Sequence, residues 1–552
     1  MGSDFFQAFP LARQNICTDS DFLKFSLPMI SAVALAFATA HGQDLSVHPL
    51  WKDGAVVQRD VPLPLTGRAR PGATVTVEWR GRTHTRSADA SGRWSVLLPA
   101  GPAESRGQTL RVQSGTDSLE VTDLLVGEVW LASGQSNMEW ILRDCGAQSA
   151  EAAQAADPIL RLVTIPRTMA DQPKDDVSVA WQTATPDHVL GWSAVAYFFA
   201  RELRQALGVP VGIIASSFGG TPAESWTPED TLAENPILAP TLEKRRNYPA
   251  LYRTLQAEYE ARKKALREAP PVAGVPPPFP QPPLMVGQNP HLASVLWNAM
   301  ISPLLPYPIQ GVIWYQGEAN AWETATYEPL LSSLIRAWRK NWRQRMQSSL
   351  TGWDRIRTWL PGATPSPDFP FLIVQLTDFD FPPEGPGGTS WARLRETQAA
   401  VADKLPRCGL AVTLGLGEAE DIHPQRKREV GQRLALLARK IAYDQALPST
   451  GPILDAAQAN GKEMVLTFRT GQGSLRTSDG KDPGSFSVAG KDRKFYPASA
   501  RLEGLRVILS SPQVAEAAFA RYAWSNRPEN PNLTDESGLP ARPFRTDSDP
   551  RP

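Results

Sequence analysis

The sequence predicts an α/β protein in which a mostly parallel, doubly wound sheet is flanked by β-rich modules at both ends. Three observations support this fold class. Residues 44–122 contain stretches in which apolar and polar residues alternate with period two, as in Thr74–Trp79. From residue 123 to 447, short apolar runs alternate with amphipathic helical segments, which is typical of buried parallel strands joined by helices. From 450 to 552 the pattern is again that of strands.

The length and charge of the chain exclude some classes of protein. With 552 residues, the chain is too long for a single hydrophobic core. Its 57 basic and 57 acidic residues balance, so it lacks the basic surface typical of nucleic-acid binding. The balance favours a neutral substrate, and flat tryptophan faces, of which the chain has 17, are suited to sugar rings.

The amino-terminal residues resemble an export signal. The apolar run Phe25–Ala40 follows Lys24 and ends in Ala38-Thr39-Ala40, a small-x-small cleavage signature. The run is shorter than the roughly 20 apolar residues that a membrane span needs. We therefore predict that residues 1–40 are a signal segment and that the mature protein is periplasmic or secreted, without a membrane anchor.

Each predicted module has its own strands and helices. In the N-terminal β-sandwich-like module, Arg70–Gly72 and Ala90–Gly92 are turns between strands. The predicted strands, in chain order across the protein, are Thr74–Trp79, Trp94–Leu98, Leu110–Val112, Val121–Ala132, Val211–Ala215, Ile309–Tyr315, Phe371–Leu376, Gly409–Leu414, Met464–Phe468, Gly484–Val488 and Gly504–Leu509. Amphipathic helices are predicted at Ala194–Leu207 and from Pro424 to Asp444. A ligand site is expected at the carboxyl ends of the parallel strands.

Two insertions are predicted in the central domain. The first, at about 250–285, contains a charge-rich helix at Leu251–Ala269 and then Pro270–Pro283, which has eight prolines and is typical of a semi-rigid connector. It is either a lid at the active site or a plain surface insertion. The second insertion is predicted at Gln347–Asp368.

Cysteines and metal ligands are sparse. Cys17 would leave with the signal segment, and Cys145 and Cys408 either form one disulfide or remain two buried thiols. No Cys and His residues have the spacing of metal ligands, and neither a metal nor an organic cofactor is expected.

A candidate nucleophile stands where an apolar run ends. In Gly127–Glu139 the sequence breaks into Ser-Gly-Gln-Ser-Asn, which puts the hydroxyl of Ser136 at a strand-to-loop turn. The carboxyl end of a buried strand is where an α/β hydrolase displays its nucleophile.

Of the six histidines, His423 is the best partner for this serine. It stands two residues after Asp421, and a catalytic base needs a carboxylate that holds its ring and tautomer. The same residues also fit a capped helix start, in which Asp421 and Pro424 would contribute roughly 0.3–1 kcal/mol. Both interpretations can hold together. The other histidines are His41, His48, His84, His188 and His291, of which His188 is a candidate by proximity only.

Taken in order, the motifs of the chain resemble the sialate O-acetylesterase-like proteins of the SGNH hydrolase superfamily. The resemblance covers nearly the whole mature chain and implies an SGNH hydrolase-like, flavodoxin-like central sheet. The segments that carry it are Asp53–Gln58, Gly127–Glu139, Ser217–Thr221, Trp314–Asn320, Trp391–Gln398, Asp421–Pro424, Arg521–Trp524 and Gly538–Arg545.

The resemblance implies a role for each matching residue. Ser136 would be the nucleophile, His423 the base and Asp421 its orienter. The backbone N–H groups of Ser136 and Gly220 would hold the oxyanion, together with one side-chain amide.

The segment Trp314–Asn320 does not decide which residue supplies that side-chain amide. The superfamily usually has Gly-x-Asn there, whereas this chain has Gln316-Gly-Glu-Ala-Asn320, so either Gln316 or Asn320 could be the donor. We favour Gln316 because it lies at the strand end. Glu318 is interpreted as a structural hydrogen-bond acceptor rather than a catalytic acid, and Gly219-Gly220 also fits a plain tight turn. Trp140, Trp226, Tyr315 and Trp322 either line a sugar site or pack loops.

The implied function is hydrolysis of O-acetyl esters on carbohydrates, similar to a sialate 9-O-acetylesterase, through an acetyl-enzyme intermediate. An acetyl-xylan or other glycan esterase with the same mechanism is the nearest alternative. A non-catalytic glycan-binding protein is the alternative from another class, and loss of Ser136, His423 or Asp421 would be its mark. All three are present.

Overall fold

The computed structural model describes residues 45–268, 281–348, 368–381, 384 and 388–547. The predicted signal segment, Cys17, most of Pro270–Pro283 and most of Gln347–Asp368 lie outside these residues. The described residues divide into two compact units. The smaller comprises 247–268 and 281–286, within the range of the first predicted insertion, and the larger comprises all the others.

The N-terminal part of the larger unit consists of short strands in mostly antiparallel pairs. They are β1 (Ser46–Val47), β2 (Val56–Gln58), β3 (Leu63–Arg68), β4 (Thr74–Trp79), β5 (Arg82–Ser87), β6 (Arg93–Leu98) and β7 (Glu104–Ser114). One sheet has the order β1-β3-β6, and β4 pairs with β5 and β7. The period-two pattern of β4 turns Val75, Val77 and Trp79 into the core.

The next strand, β8 (Asp117–Gly134), is shared by the N-terminal module and the central sheet. Its first part pairs antiparallel with β7 and parallel with β2. Its last part, from Glu128 onward, is the central strand of the next sheet. The predicted module boundary between residues 122 and 123 therefore falls inside one continuous strand.

The central sheet is mostly parallel. Besides β8, it contains β9 (Asp157–Thr164), β10 (Trp181–Ala184), β11 (Val211–Ser217), β12 (Gly311–Tyr315), β13 (Phe371–Val374) and β14 (Cys408–Ala411). Its order is β10-β9-β11-β8-β12-β13-β14, with only the β10–β9 pair antiparallel among these neighbours. Strands β9 and β10 were absent from the sequence prediction.

Helices connect these strands. They are α1 (Ser136–Glu139), α2 (Pro186–Leu190), α3 (Ala194–Leu207), α4 (Glu229–Glu234), α5 (Ala239–Glu268), α6 (Thr324–Ser348), α7 (Ser390–Lys404) and α8 (Lys427–Ile441). Helix α3 begins where Ser193 Oγ accepts the Ala196 N–H at 3.2 Å, and it ends at Gly208 with φ +68°. Helix α3 packs on α8, and α6 packs on α7. Helix α8 begins at Lys427, three residues later than predicted.

The C-terminal module is again β. Its strands are β15 (Ile453–Asn460), β16 (Glu463–Arg469), β17 (Leu475–Thr477), β18 (Phe486–Ala489), β19 (Tyr496–Pro497), β20 (Ser499–Glu503), β21 (Arg506–Ser510), β22 (Phe519–Tyr522), β23 (Leu533–Asp535) and β24 (Phe544–Arg545). It docks on α7 through Arg395, whose buried guanidinium donates to Ser525 O at 3.0 Å and to Asn526 O at 2.5 Å.

The order of the sheet fixes where a ligand site should form. From β8 the chain builds β9 and β11 on one side, and then crosses to β12, β13 and β14 on the other. A crevice is expected at the carboxyl end of the strand where the order reverses, and Ser136 directly follows that strand. No helix in the described part of the chain is long and apolar enough to cross a membrane.

Candidate active site

Ser136 stands at the start of α1, two residues after the end of the central strand. Gly134, the last residue of β8, has φ +139°, and a Cβ there would lie 2.1 Å from the carbonyl oxygen of Tyr315 in β12. Only glycine fits this close approach of two backbones. Asn137 and Met138 are buried, so the hydroxyl of Ser136 stands on a tightly packed turn.

His423 contacts this hydroxyl directly. Its Nε2 lies 2.9 Å from Ser136 Oγ, a normal hydrogen-bond distance. Its ring stacks on Trp140, with centroids 4.6 Å apart and planes inclined by 15°. His423 belongs to an irregular segment between β14 and α8, and Trp140 therefore supplies packing that regular structure does not.

The surroundings of His423 favour its neutral form. Burial, and after it the nearby Lys427 ammonium, lower the pKa of its imidazole to about 4, and Asp421 opposes both effects. A neutral imidazole can accept the proton of the Ser136 hydroxyl, whereas an imidazolium cannot. At neutral pH the ring nitrogen next to Ser136 Oγ therefore has a lone pair that can accept a hydrogen bond.

Asp421 lies on the other side of the imidazole ring. Its Oδ1 is 3.6 Å from His423 Nδ1, longer than a hydrogen bond, and accepts the backbone N–H of His423 at 2.8 Å. Its side chain is 46% exposed. Asp421 therefore fixes the backbone of His423, and its half-exposed carboxylate faces Nδ1 of the ring without a direct hydrogen bond.

The Gly219-Gly220 turn packs against the candidate nucleophile. A Cβ on Gly219 would lie 3.4 Å from Ser136 Cβ, and its N–H donates to Glu139 Oε2 at 2.7 Å. Gly220 has φ +73°, in the left-handed region. The other oxygen of Glu139 lies 3.0 Å from a guanidinium nitrogen of Arg167. Glu139 thus anchors this turn beside Ser136.

The side-chain amide of Gln316 makes its hydrogen bonds to other residues of the protein. Its Nε2 donates to Asn320 Oδ1 at 2.7 Å and to Thr221 O at 3.3 Å, and its Oε1 accepts from Tyr327 at 2.9 Å. Both amide hydrogens are therefore occupied, which argues against our preference for Gln316 as an oxyanion donor.

Asn320 is in a different position. Its Oδ1 accepts from Gln316 and from the Ala223 N–H, whereas its Nδ2 donates to Glu224 Oε2 at 3.0 Å. Among the described residues that is the one acceptor for Nδ2, so its second hydrogen remains available. The surrounding hydrogen bonds hold this amide group in a fixed orientation.

Glu318 is a buried hydrogen-bond acceptor. Its Oε1 accepts from Asn137 Nδ2 at 2.6 Å, and burial raises the pKa of its carboxyl group. Asn137 Nδ2 also donates to Ile422 O at 2.9 Å, and its Oδ1 accepts from Lys427 Nζ. These contacts agree with the structural interpretation of Glu318.

The aromatic residues differ in exposure. Trp226 and Tyr315 are buried and belong to the packing, whereas Trp140 stacks on His423. Trp322 is 41% exposed and packs against Phe381, with centroids 4.4 Å apart. Trp322 is therefore the most exposed member of this set.

Cys145 and Cys408 are both free thiols. The pair therefore forms no disulfide, and of the two thiols only that of Cys145 is buried, whereas Cys408 is partly exposed. In the described ranges, no group of His, Cys, Asp and Glu side chains is arranged to hold a metal ion.

Sequence reasoning overlooked four residues that contact the reacting segments or their supports. Asn137 and Glu139 lie inside the Gly127–Glu139 motif. Their closeness to Ser136 in the sequence could have identified them as residues of the site. Glu224 and Lys427 carried no such signal, because each joins the site through long-range contacts. The four are Asn137, Glu139, Glu224 and Lys427.

Comparison with known proteins adds independent findings. Sialate O-acetylesterase of Pongo abelii is 30% identical over 529 residues, which cover 88% of this chain and 89% of that protein. The Homo sapiens sialate O-acetylesterase is 30% identical over 520 residues, or 87% and 88% of the two chains. A solved carbohydrate acetylesterase from Xanthomonas citri superposes with a TM-score of 0.75 and 35% identity, covering 91% of this chain and 100% of that one. No protein-family model matches the chain.

Fold, site and relatives together define a carboxylic ester hydrolase. More particularly, the chain belongs to the sialate O-acetylesterase family, with which it shares nearly 90% of its length.

Proposed function

We propose that the protein removes acetyl groups from O-acetylated carbohydrates, with Ser136 as nucleophile, His423 as general base and Asp421 as its orienter. The observation that carries this proposal is the 2.9 Å contact between Ser136 Oγ and His423 Nε2 at the carboxyl end of the central strand. Membership of an esterase family agrees with this geometry.

The reaction proceeds in two halves. Ser136 Oγ attacks the acetyl carbonyl carbon while His423 Nε2 takes the hydroxyl proton. The tetrahedral intermediate collapses, the bond from carbonyl carbon to sugar oxygen breaks, and His423 returns its proton to that oxygen. Water then attacks the acetyl-enzyme with His423 as base, and acetate leaves as Ser136 regains its proton.

The oxyanion of the intermediate needs fixed donors. We propose the backbone N–H groups of Ser136 and Gly220 and the second amide hydrogen of Asn320, rather than Gln316. The occupied amide of Gln316 and the held orientation of Asn320 support this choice. Donors fixed before the reaction stabilise the developing charge without a cost of reorganisation.

We also infer that the central domain is a doubly wound, SGNH hydrolase-like sheet. The parallel pairs on both sides of β8 support this inference, as does the packing of the helices in the separate pairs α3–α8 and α6–α7. Export to the periplasm or the outside of the cell is likewise proposed, on the basis of the apolar run Phe25–Ala40.

The acetylated sugar itself has two candidates. The relatives named sialate O-acetylesterase favour O-acetyl sialic acid. The balanced charge of the chain and the solved carbohydrate acetylesterase favour a neutral acetylated glycan such as acetyl-xylan.

A direct experiment compares acetate release by the purified protein and its Ser136→Ala variant. Both are given O-acetyl sialic acid and acetylated xylo-oligosaccharides in parallel. Release by the unchanged protein and not by the variant supports Ser136 as nucleophile, and the faster substrate identifies the sugar class. Equal release by both proteins would exclude Ser136, and no release from either substrate would direct the search to other esters or to glycan binding.

A further inference from the structure

Beneath the reacting side chains lies a chain of three buried polar residues. Lys427 Nζ donates to Asn137 Oδ1, and Asn137 Nδ2 donates to Glu318 Oε1 at 2.6 Å. Lys427 is fully buried, Asn137 is 1% exposed and Glu318 is 7% exposed. The triad and the proposed oxyanion donors do not include any of the three.

These residues join the separate segments that form the site. Asn137 follows the nucleophile in α1, Glu318 follows β12, and Lys427 is the first residue of α8. Asn137 Nδ2 additionally donates at 2.9 Å to the carbonyl of Ile422, the residue just before His423. One amide therefore connects the residue after Ser136 to the residue before His423.

Stability alone is a poor explanation for this arrangement. Removing an ammonium and a carboxylate from water costs several kcal/mol per ion, and apolar residues of similar volume often serve a core as well or better. Moreover, Glu318 Oε2 is buried without a hydrogen-bond partner among the described residues. Costly polar groups of this kind are expected where function requires them.

The ammonium of Lys427 also acts on the imidazole. After burial, which has the larger effect, it lowers the pKa of His423 and so favours the neutral ring that can accept from Ser136. Among the described residues, the charged groups that act on His423 are Asp421 from its own segment and Lys427 from α8, and the neutral hydroxyl of Ser136 contacts its Nε2. Burial lowers the pKa of Lys427 to about 8, and the nearby groups Cys145, Glu318, Asp421 and Glu418 oppose this effect. Burial raises the pKa of the Cys145 thiol to about 11, so this thiol is uncharged at neutral pH.

We propose that Lys427, Asn137 and Glu318 form a positioning bridge for ester hydrolysis. The bridge holds the Ser136 turn against the His423 segment and keeps a positive charge beside the imidazole. These residues act through Ser136 and His423 and do not touch the substrate. The inference rests on the proposed function, because it assigns the bridge a role in that reaction.

The experiment measures kcat/KM against pH with 4-nitrophenyl acetate as the probe, for the unchanged protein and for Lys427→Met, Lys427→Arg and Lys440→Met. Lys440 is an exposed lysine near the other end of α8 and is the matched control. Lys427→Met should lower kcat/KM about 10- to 100-fold, since small misplacements of reacting groups have effects of this size. Lys440→Met should match the unchanged protein.

The pH profile separates this role from a merely structural one. Without the ammonium the pKa of His423 rises, so the acid limb of Lys427→Met should move about one unit toward higher pH. Lys427→Arg retains the charge, so its acid limb should stay in place even if its rate falls. An unmoved limb together with a rate within about twofold of the unchanged protein would overturn the proposal.

A second variant covers the case in which the Lys427 variants do not fold. Glu318→Gln keeps the shape and an acceptor oxygen and removes the carboxylate. It should lower kcat about tenfold with an unchanged KM, because the bridge positions and does not bind. Unchanged kcat in folded Glu318→Gln would contradict the bridge.

Ser136→Ala in the same assay distinguishes the two proposals. Activity that survives in Ser136→Ala refutes the proposed function, whereas loss in Ser136→Ala with unaffected bridge variants refutes only the bridge.

Discussion

Ser136 and His423 reach their common contact from two differently built parts of the molecule. Ser136 follows the central strand of a parallel sheet, and the turn that carries it is fixed by the close approach of Gly134 to Tyr315. His423 belongs to an irregular segment and is held by the stacking of Trp140, by the carboxylate of Asp421 and by the hydrogen bond from Asn137 to Ile422.

The difference shows that the contact between Ser136 and His423 can be fixed although only Ser136 is held by regular secondary structure. The backbone of the sheet determines where Ser136 stands, whereas individual side chains determine where His423 stands. Substitutions near Ser136 should therefore affect folding and activity together, and substitutions near His423 should affect activity more than folding.

The largest effect is expected for His423→Ala. Loss of the base should lower kcat/KM by about 10⁴-fold or more, with an unchanged circular dichroism spectrum, because the irregular segment needs no side chain at 423 to fold. The control is His188→Ala, at an exposed histidine in α2. Retention of a few per cent of the activity in His423→Ala would show that another group is the base.

Asn320→Ala should follow in size. Removal of one oxyanion donor should lower kcat about 10²- to 10³-fold with little change in KM, because the donor acts on the transition state. The paired variant is Gln316→Glu, which removes the amide N–H donor. This variant should chiefly lower the melting temperature. A larger loss of kcat in folded Gln316→Glu would restore Gln316 as the donor.

Substitution of two glycines tests whether the Ser136 turn depends on its backbone more strictly than the His423 segment does. Gly134→Ala adds a Cβ that would meet Tyr315 O at 2.1 Å, so both thermal stability and kcat/KM should fall, the latter about 100-fold. Gly415→Ala lies before the His423 segment at φ +76°, with open space around its Cβ position. It should cost only about 1 kcal/mol in the free energy of unfolding, measured in urea. Equal effects of the two would remove the distinction between the two parts.

Asp421→Asn should have the smallest effect on activity. Asn keeps an acceptor for the His423 N–H, and the carboxylate is half exposed and 3.6 Å from the ring, so we expect about a tenfold loss of kcat/KM. Because Asp421 raises the pKa of His423, its removal should shift the acid limb toward lower pH, opposite to Lys427→Met. A shift toward higher pH would contradict this electrostatic role.

Sequence patterns predicted those parts of the site that are formed by residues close together in the chain. The strand before Ser136 and the short spacing of Asp421 and His423 could be recognised in this way, and the structure brings these side chains together. Strands β9 and β10 were overlooked because Arg161 interrupts the apolar residues of β9 and because β10 is only four residues long, with two polar residues at its centre.

The remaining differences come from long-range contacts. Gln316 was preferred for its place at the strand end, but Thr221 and Asn320 lie close enough to use both of its amide hydrogens. Lys427 begins a helix, where a lysine ordinarily faces solvent. Its burial depends on Asn137, nearly three hundred residues earlier in the chain, and no local pattern contains that information.

The continuity of β8 has a consequence for how such a protein can change over time. Strand β8 runs from Asp117 to Gly134 and is shared by the N-terminal module and the central sheet. A recombination event that exchanges the N-terminal module must therefore also replace part of the strand that leads to Ser136. The C-terminal module is joined by side-chain docking on α7 and imposes no such condition. We therefore expect that, among relatives, the C-terminal module is gained, lost or exchanged more freely than the N-terminal one.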